Sequence, residues 1–365
     1  MILRAKWVLP ISAPLIEDGA VAVAGDKIVA VGPHAEVCAS QAGPVRDLGE
    51  VVLLPGLINA HCHLDYSCLH GEVPWHGSFT EWLLRLVALK RLKSAEDYQR
   101  GFRQGLEDLV QSGVTTVVNI ESFPWLMDEF QEAPVRILWC LELLDADRPG
   151  EAERVLAEAE AWLDQRAWVG QDYGFSPHAP YTTSAALYRL SAGAAQRRGV
   201  LLTTHLAESA EEDDMIRRGT GPMYDHFRRA GRDMTDCKHA GSVQLLNGWQ
   251  VLGPRCLAAH VNCVTPLDIR LLQQTGTHVV HCPKTHRFFH RDRPMLPAFW
   301  AAGINVCLGT DSAASNDRLN LFDEMRTLAH WSPELSAQRI LELATRYFAE
   351  SPNDGIVFVE PVMAR

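Results

Sequence analysis

His61 and His63 flank Cys62 at the end of the apolar run Leu57-Ile58-Asn59-Ala60. If that run is a strand, alternate side chains share a face, and both imidazoles point to the same side. With 15 histidines in the chain, a His-x-His triplet alone is weak and also fits a surface pair in a loop. His205 closes a second apolar run, Val200 to Thr204, with Glu208 three residues on. That pairing suits a metal ligand beside a proton carrier. His260 ends Cys256-Leu257-Ala258-Ala259, where a satisfied core histidine is the plainer alternative. Asp311 ends the run from Val306. A carboxylate there must be paired or metal-bound to be tolerated. His178 sits at the end of Phe175-Ser176-Pro177. Glu211 through Asp214 read instead as the solvated, acidic first turn of a helix, favoured by its dipole.

The elements that must position these groups follow from hydrophobic periodicity. Apolar runs end near Ala60, Ile120, Leu141, Ser176, His205, His260, Cys282 and Gly309, and amphipathic segments such as Glu81 to Val110 and Gly150 to Val169 lie between them. Eight strands alternating with helices predict an α/β fold, a (β/α)8 TIM-like barrel. An open doubly wound sheet is the alternative, but no Gly-x-Gly-x-x-Gly follows the first run. Residues 1–54 read as short β pieces, with a hairpin from Val21 to Val31 turning at Gly25-Asp26. The expected division is 1–54 as part of a β-sandwich, 55–345 as the barrel and 346–365 as a short tail. His61, His63, His205, Glu208, His260 and Asp311 all fall at C-terminal strand ends, the face where barrels build active sites. Imidazoles plus a carboxylate suit one divalent metal, Zn2+ or Fe2+, with a position left for water.

Composition narrows the classes. The 365 residues are 47% hydrophobic and 22% charged, which excludes wholesale disorder and coiled coil. A net charge of -11 argues against nucleic acid or an anionic membrane as partner and leaves a small-molecule substrate. The nine cysteines include no Cys-x-x-Cys pair and read as buried thiols of a cytoplasmic protein. Pro10, Pro14, Glu17 and Asp18 interrupt any signal-peptide core, and no apolar run is long enough to span a bilayer.

The segments Leu54-Pro-Gly-Leu-Ile-Asn-Ala-His-Cys-His-Leu, Ser176-Pro-His-Ala-Pro-Tyr, Thr204-His-Leu-Ala-Glu-Ser, Ala259-His-Val-Asn, Val280-His-Cys-Pro-Lys and Leu308-Gly-Thr-Asp-Ser-Ala-Ala-Ser-Asn stand in that order. As a set, the chain resembles the amidohydrolase superfamily, in its branch of cytosine, guanine and adenine-nucleoside deaminases and chlorohydrolases. The resemblance implies that His61, His63, His205 and Asp311 ligate one metal, that Glu208 shuttles protons and that His260 orients the hydrolytic water, with Asp311 sharing in its deprotonation. Binuclear relatives add a lysine at the fourth strand end; Tyr173 to His178 contains none, which implies a mononuclear site.

For the substrate, the resemblance makes His178 a candidate ribose contact, with a strand-end cap as the structural alternative. Relatives acting on S-adenosylhomocysteine or methylthioadenosine carry an acid after a Glu-Trp-Leu segment. Here Glu81-Trp82-Leu83 is followed by Lys90 and Arg91. Cations there suit a carboxylate-bearing substrate such as aminodeoxyfutalosine, or are simply helix-surface charges. Lys284, His286, Arg287 and His290 offer further cationic groups, and Trp75, Trp82, Phe123 and Trp125 are aromatic groups able to stack on a heterocycle or fill core. A guanine deaminase, a triazine chlorohydrolase, an imidazolone hydrolase and a non-catalytic metal-binding relative are the alternatives. The family's closing strands are not evident: only Gly355 to Val359 resembles one. The expectation is an incomplete sandwich whose apolar face lacks partners and invites homodimerisation.

Overall fold

Runs that are apolar at every position need cover on both faces, and that requirement organises the molecule. The computed structural model describes residues 1–25, 27–166, 172–238, 240–291 and 295–345, and the backbone of 361–363. Nine strands form a parallel sheet: β6 (Leu57–His63), β7 (Val114–Glu121), β8 (Arg136–Leu143), β9 (Tyr173–Pro177), β10 (Leu201–Leu206), β11 (Cys256–His260), β12 (His278–His281), β13 (Val306–Leu308) and β14 (Asp311–Ser312). Their order follows the chain from β6 to β13. β14 comes two residues after β13 and pairs with β6, so the sheet's two ends belong to one interrupted strand and the sheet closes on itself. This is the TIM-like α/β barrel expected from the eight apolar runs.

Ile58, Ala60, Val118, Leu138, Leu201, Leu257 and Val280 pack together inside the barrel. Leu57, Val117, Trp139, Phe175, Leu202, Ala258 and Val279 face outward against the helices. The helix Ala95–Gln111 shows how sequence sets such an element: Ser94 and Asp97 form a capping box, and Tyr98, Phe102, Leu106 and Leu109 give it a buried stripe. No helix among the described residues is long and apolar enough to cross a membrane. All nine cysteines are free thiols.

The N-terminal strands β1 (Ile2–Val8), β2 (Ile16–Ala24), β3 (Lys27–Pro33), β4 (Val45–Asp47) and β5 (Val52–Pro55) make a second sheet. The expected unpartnered apolar face is seen in part: Val29, Val31, Val45 and Val52 are exposed, while other apolar residues of the sheet are covered. Leu3, Ala5, Val8, Val21 and Leu53 are buried in a cluster of their own. On the other face Ile2, Ala20 and Ala22 pack against Val37 of the helix His34–Ser40. The backbone of β15 (Pro361–Met363) pairs antiparallel with β5. The strand expected at Gly355 to Val359 lies outside the described residues, as does Asp26 of the expected hairpin turn; β2 and β3 themselves pair as that hairpin requires.

Candidate active site

Strict alternation along β6 would send His61 and His63 outward, opposite to Ile58 and Ala60. Instead the β6–β7 register slips between Asn59 and Cys62, so that Cys62 joins the outer core and both imidazoles turn inward. The other strand ends are bent as sharply. His260 and Asp311 have φ of 74° and 57°; Val261, next to His260, has 49°, and Ala207, two residues after His205, has 50°. Left-handed backbone at non-glycine residues, above all at a β-branched valine, stores roughly 1–3 kcal/mol each and needs the surroundings to impose it. Neighbouring loops supply that constraint: Val261 N–H donates to Leu206 O at 3.0 Å, and Asn262 N–H to Ala207 O at 2.9 Å.

Five buried groups converge as a result. Ligand atoms of His61, His205, His260 and Asp311 all lie within 4.8 Å of one another. His63 Nε2 is 3.1 Å from His205 Nε2 and 3.8 Å from Asp311 Oδ1. His61 Nε2 is 3.7 Å from the same oxygen. His205 Nδ1 donates to His178 O at 2.9 Å, which leaves its Nε2 lone pair facing the cluster. Asn59 ties the two ligand-bearing strands: its Nδ2 donates to Thr310 Oγ1 at 2.8 Å and its Oδ1 accepts from Thr310 N–H at 3.1 Å.

These residues fit a divalent metal. Both ring nitrogens of His61, Nδ1 of His63 and Nε2 of His260 are buried without a hydrogen-bond partner. Such groups are costly unless something binds them. Burial pushes the imidazoles of His61, His63 and His260 down, favouring the neutral form that ligates. Burial alone would raise the Asp311 carboxyl; His61, His205 and the Ser312 backbone together outweigh that and hold it below the ordinary range.

Glu208 stands beside the cluster, its Oε1 3.8 Å from His260 Nε2. The same oxygen accepts from Arg291 Nη2 at 2.9 Å. Its backbone is held by Glu212, whose carboxylate accepts from the N–H groups of Ala207 and Glu208 at 2.9 and 2.7 Å. Glu212 is therefore fully buried, with burial raising its carboxyl to about 7, where a solvated turn was expected. Glu211 is not free either: it accepts from the N–H groups of Phe79 and Thr80, both at 2.9 Å, and so caps the helix Phe79–Lys90 that roofs the site.

The pocket over the cluster is lined by His178, Trp82, Phe79, Leu86, Tyr181 and Phe289 among others. Trp82 is fixed by its Nε1–H donating to Val73 O at 2.9 Å. His178, whose Nδ1 lies 2.6 Å from Thr182 Oγ1, also faces the buried Glu142 carboxylate at 3.9 Å. Burial still pushes the His178 imidazole down to about 3. Lys90 turns inward behind the pocket, donating to the Tyr66 hydroxyl and to Ser122 Oγ at 3.3 Å. Arg91, the C-cap of the same helix, is exposed and is not brought to the pocket.

Of the other cations, Lys284 pairs with Asp317 and Arg287 is exposed. His286 lies beneath the site, its Nε2 3.2 Å from His260 Nδ1. Trp125 is partly exposed, and Phe123 packs on Tyr98. Sequence reasoning missed Arg291, which no strand-end pattern marks, and passed over Glu142, although it directly follows the apolar run ending near Leu141; Glu212 was read as part of a solvated turn.

Comparison with known proteins identifies the family. Residues 52–353 match the Amidohydrolase family, and residues 19–40 match an imidazolonepropionase-like composite domain of bacteria. A 5-methylthioadenosine/S-adenosylhomocysteine deaminase of Syntrophobacter fumaroxidans is 31% identical over 90% of this chain and 74% of its own length. An aminodeoxyfutalosine deaminase of Deinococcus radiodurans is 30% identical over 90% of this chain and 80% of its own. The crystal structure of an adenosine deaminase from Xanthomonas campestris with bound zinc superposes with a TM-score of 0.76 at 25% identity, covering 94% of this chain and 78% of that one. With a family match across most of its length and relatives of 30% identity or more named as deaminases, the chain belongs to the amidohydrolase family and is a hydrolase of C–N bonds.

Proposed function

We propose that the protein is a metal-dependent deaminase of an amino-substituted purine nucleoside, adenosine-type or aminodeoxyfutalosine-type. The observation that carries this reading is the set of buried, unpartnered imidazole nitrogens beside a carboxylate, Glu208, that is placed to move protons. The names of the relatives from Syntrophobacter and Deinococcus support it.

In this reading His61, His63, His205 and Asp311 hold one divalent metal, and the zinc named for the Xanthomonas structure makes zinc the proposed ion. When bound, the metal supplies a water acidic enough to serve as nucleophile near pH 7. With a metal held there, His260 would be placed to orient the hydrolytic water, and Asp311 to share with Glu208 in accepting its protons. Glu208 would take one proton from the water and deliver it to a ring nitrogen of the heterocycle, which makes the adjacent carbon electrophilic. As a C–O bond forms there, the remaining proton of that oxygen would pass by way of Asp311 and Glu208 to the exocyclic amine, and the C–N bond breaks to leave a ring carbonyl and ammonia. His178 and Trp82 line the space for the substrate's body, and Lys90 stands behind them as an interior cation.

Ammonia release from adenosine, methylthioadenosine, S-adenosylhomocysteine, aminodeoxyfutalosine, guanine and cytosine tests the reading, with Glu208→Gln as the control. At least one purine nucleoside is expected to turn over, and Glu208→Gln is expected to keep its metal while losing about 10²–10⁴ in rate. A zinc-loaded protein inert to every nucleoside, or a Glu208→Gln variant at near-native rate, overturns it.

A further inference from the structure

A neutral histidine can face water in two ways. One ring nitrogen carries a hydrogen and the other a lone pair, and the hydrogen bond made at the far nitrogen decides which is which. For His260 the far nitrogen is Nδ1, which lies 3.2 Å from Nε2 of the fully buried His286 on the helix Pro283–Phe288. One of these two nitrogens must donate and the other accept.

Asn262 resolves the choice. Its Nδ2 is 2.9 Å from the backbone oxygen of Glu208, which can only accept, so the amide's NH2 end belongs there. The second hydrogen of that NH2 group is left for His286 Nε2, 3.3 Å away. An N–H at His286 Nε2 would meet it head-on. His286 Nε2 therefore carries the lone pair, shared between Asn262 Nδ2–H and His260 Nδ1–H. Nδ1 of His286 has no hydrogen-bond partner in either form and does not bear on the choice. His260 keeps its hydrogen at Nδ1 and turns the lone pair of Nε2 toward the side of Glu208, whose Oε1 is 3.8 Å away. That Nε2 is buried with no hydrogen-bond partner of its own. An imidazole nitrogen and a carboxylate oxygen thus stand side by side as acceptors, and one water can donate an O–H to each.

We infer that His286 and Asn262 are positioning residues for the hydrolytic reaction: together they hold His260 in the tautomer that accepts from water, and Asn262 ties that histidine to the backbone of the proton carrier. The inference rests on the deaminase reading for its effect on turnover, whereas the tautomer is a property of the resting protein. Glu212 holds the N–H of Glu208 and Asn262 its carbonyl, so both backbone polar groups of Glu208 are fixed. In the opposite tautomer His260 would present an N–H to the water and turn its hydrogens elsewhere.

Two measurements on the zinc-loaded protein decide this. Long-range proton–nitrogen correlation spectra of protein labelled at the histidine rings read the tautomer without turnover, with His260 assigned by its absence in His260→Ala. His260 is expected in the Nδ1–H form in the native protein and is expected to lose that preference in His286→Leu and in Asn262→Ala. An Nε2–H form in the native protein overturns the inference, and an unaltered His260 in Asn262→Ala removes Asn262 from it. The second measurement is steady-state kinetics on a nucleoside substrate. The side-chain carbonyl of His286→Gln can still accept from His260 Nδ1–H, whereas His286→Leu offers no acceptor. His286→Leu is expected to lower kcat about tenfold or more at unchanged KM and metal content, and His286→Gln to restore most of it. Equal kcat in the two variants, whether native or low, would mean that His286 only fills space, and overturns the inference. If the leucine variant does not fold, the native spectrum still decides. If no nucleoside is deaminated while His286 holds His260 in the Nδ1–H form, the deaminase reading fails and the positioning pair stands.

Discussion

The carboxylate of Glu212 receives the backbone N–H of Glu208 at 2.7 Å, so one buried acid fixes the chain from which the proton carrier projects. Ser242 Oγ donates to the same carboxylate at 2.6 Å, which ties the turn after β10 to the more distant helix Ser242–Gly248. The relationship places a structural acid four residues from a chemical one and explains why two carboxylates so close in sequence have different surroundings.

Glu212→Ala strands the N–H groups of Ala207 and Glu208 in a buried site. Each orphaned donor costs about 1–3 kcal/mol. The variant is therefore expected to melt at lower temperature and, with Glu208 released from its mooring, to turn over about tenfold more slowly at unchanged metal content. Thermal melts, metal analysis and kcat together check it; a native kcat would show that Glu208 needs no such anchor.

Metal content should separate His63 from His260. The first is proposed as a ligand and the second as a water-orienting group, although both lie in the same cluster. His63→Ala is expected to lose metal affinity by a factor of ten or more, whereas His260→Ala keeps its metal and loses turnover. Elemental analysis after dialysis reads this directly. Stripping the native protein with a chelator should also lower its stability, by about 4 kcal/mol where free metal had stood near a thousandfold above Kd.

A glycine supports the ligand strand from behind. A Cβ at Gly309 would lie 2.8 Å from His61 O and 3.0 Å from His61 N, both backbone atoms with little freedom to yield. Gly309→Ala is expected to destabilise by roughly 1–3 kcal/mol and to displace His61, with partial loss of metal. Wild-type melting and metal occupancy in this variant would show that β6 can shift to accommodate the methyl group.

His281 supplies a pH dependence. It is buried, neither ring nitrogen has a partner, and burial pushes its imidazole down to about 3 from 6.5. The unfolded chain binds a proton there more readily than the folded one. The associated stability is thus present above pH 6.5 and is lost as pH falls from 6.5 toward 3. Between pH 7 and 5 the native protein should lose about 2 kcal/mol more than His281→Leu. Urea midpoints across that range test it, and parallel pH profiles would contradict it.

Much of this protein was legible in its sequence because strands buried on two faces must be written as apolar runs. Their ends were readable too: a histidine or aspartate closing such a run is hard to tolerate unless something binds it. The barrel, and the convergence of His61, His63, His205, His260 and Asp311 with Glu208, follow from that logic. The tertiary structure decided what local pattern does not encode. Simple alternation would have turned His61 outward; a register slip fixed by pairing with β7 turns it in. The acidic turn after His205 reads as solvated, yet Glu211 and Glu212 are drawn inward by N–H groups from the helix after Ser78 and from their own turn. Lys90 and Arg91 are adjacent in sequence, but a helix directs one toward Tyr66 and the other to solvent. Arg291 gained its place beside Glu208 across 83 residues of chain, a distance that no local spacing describes.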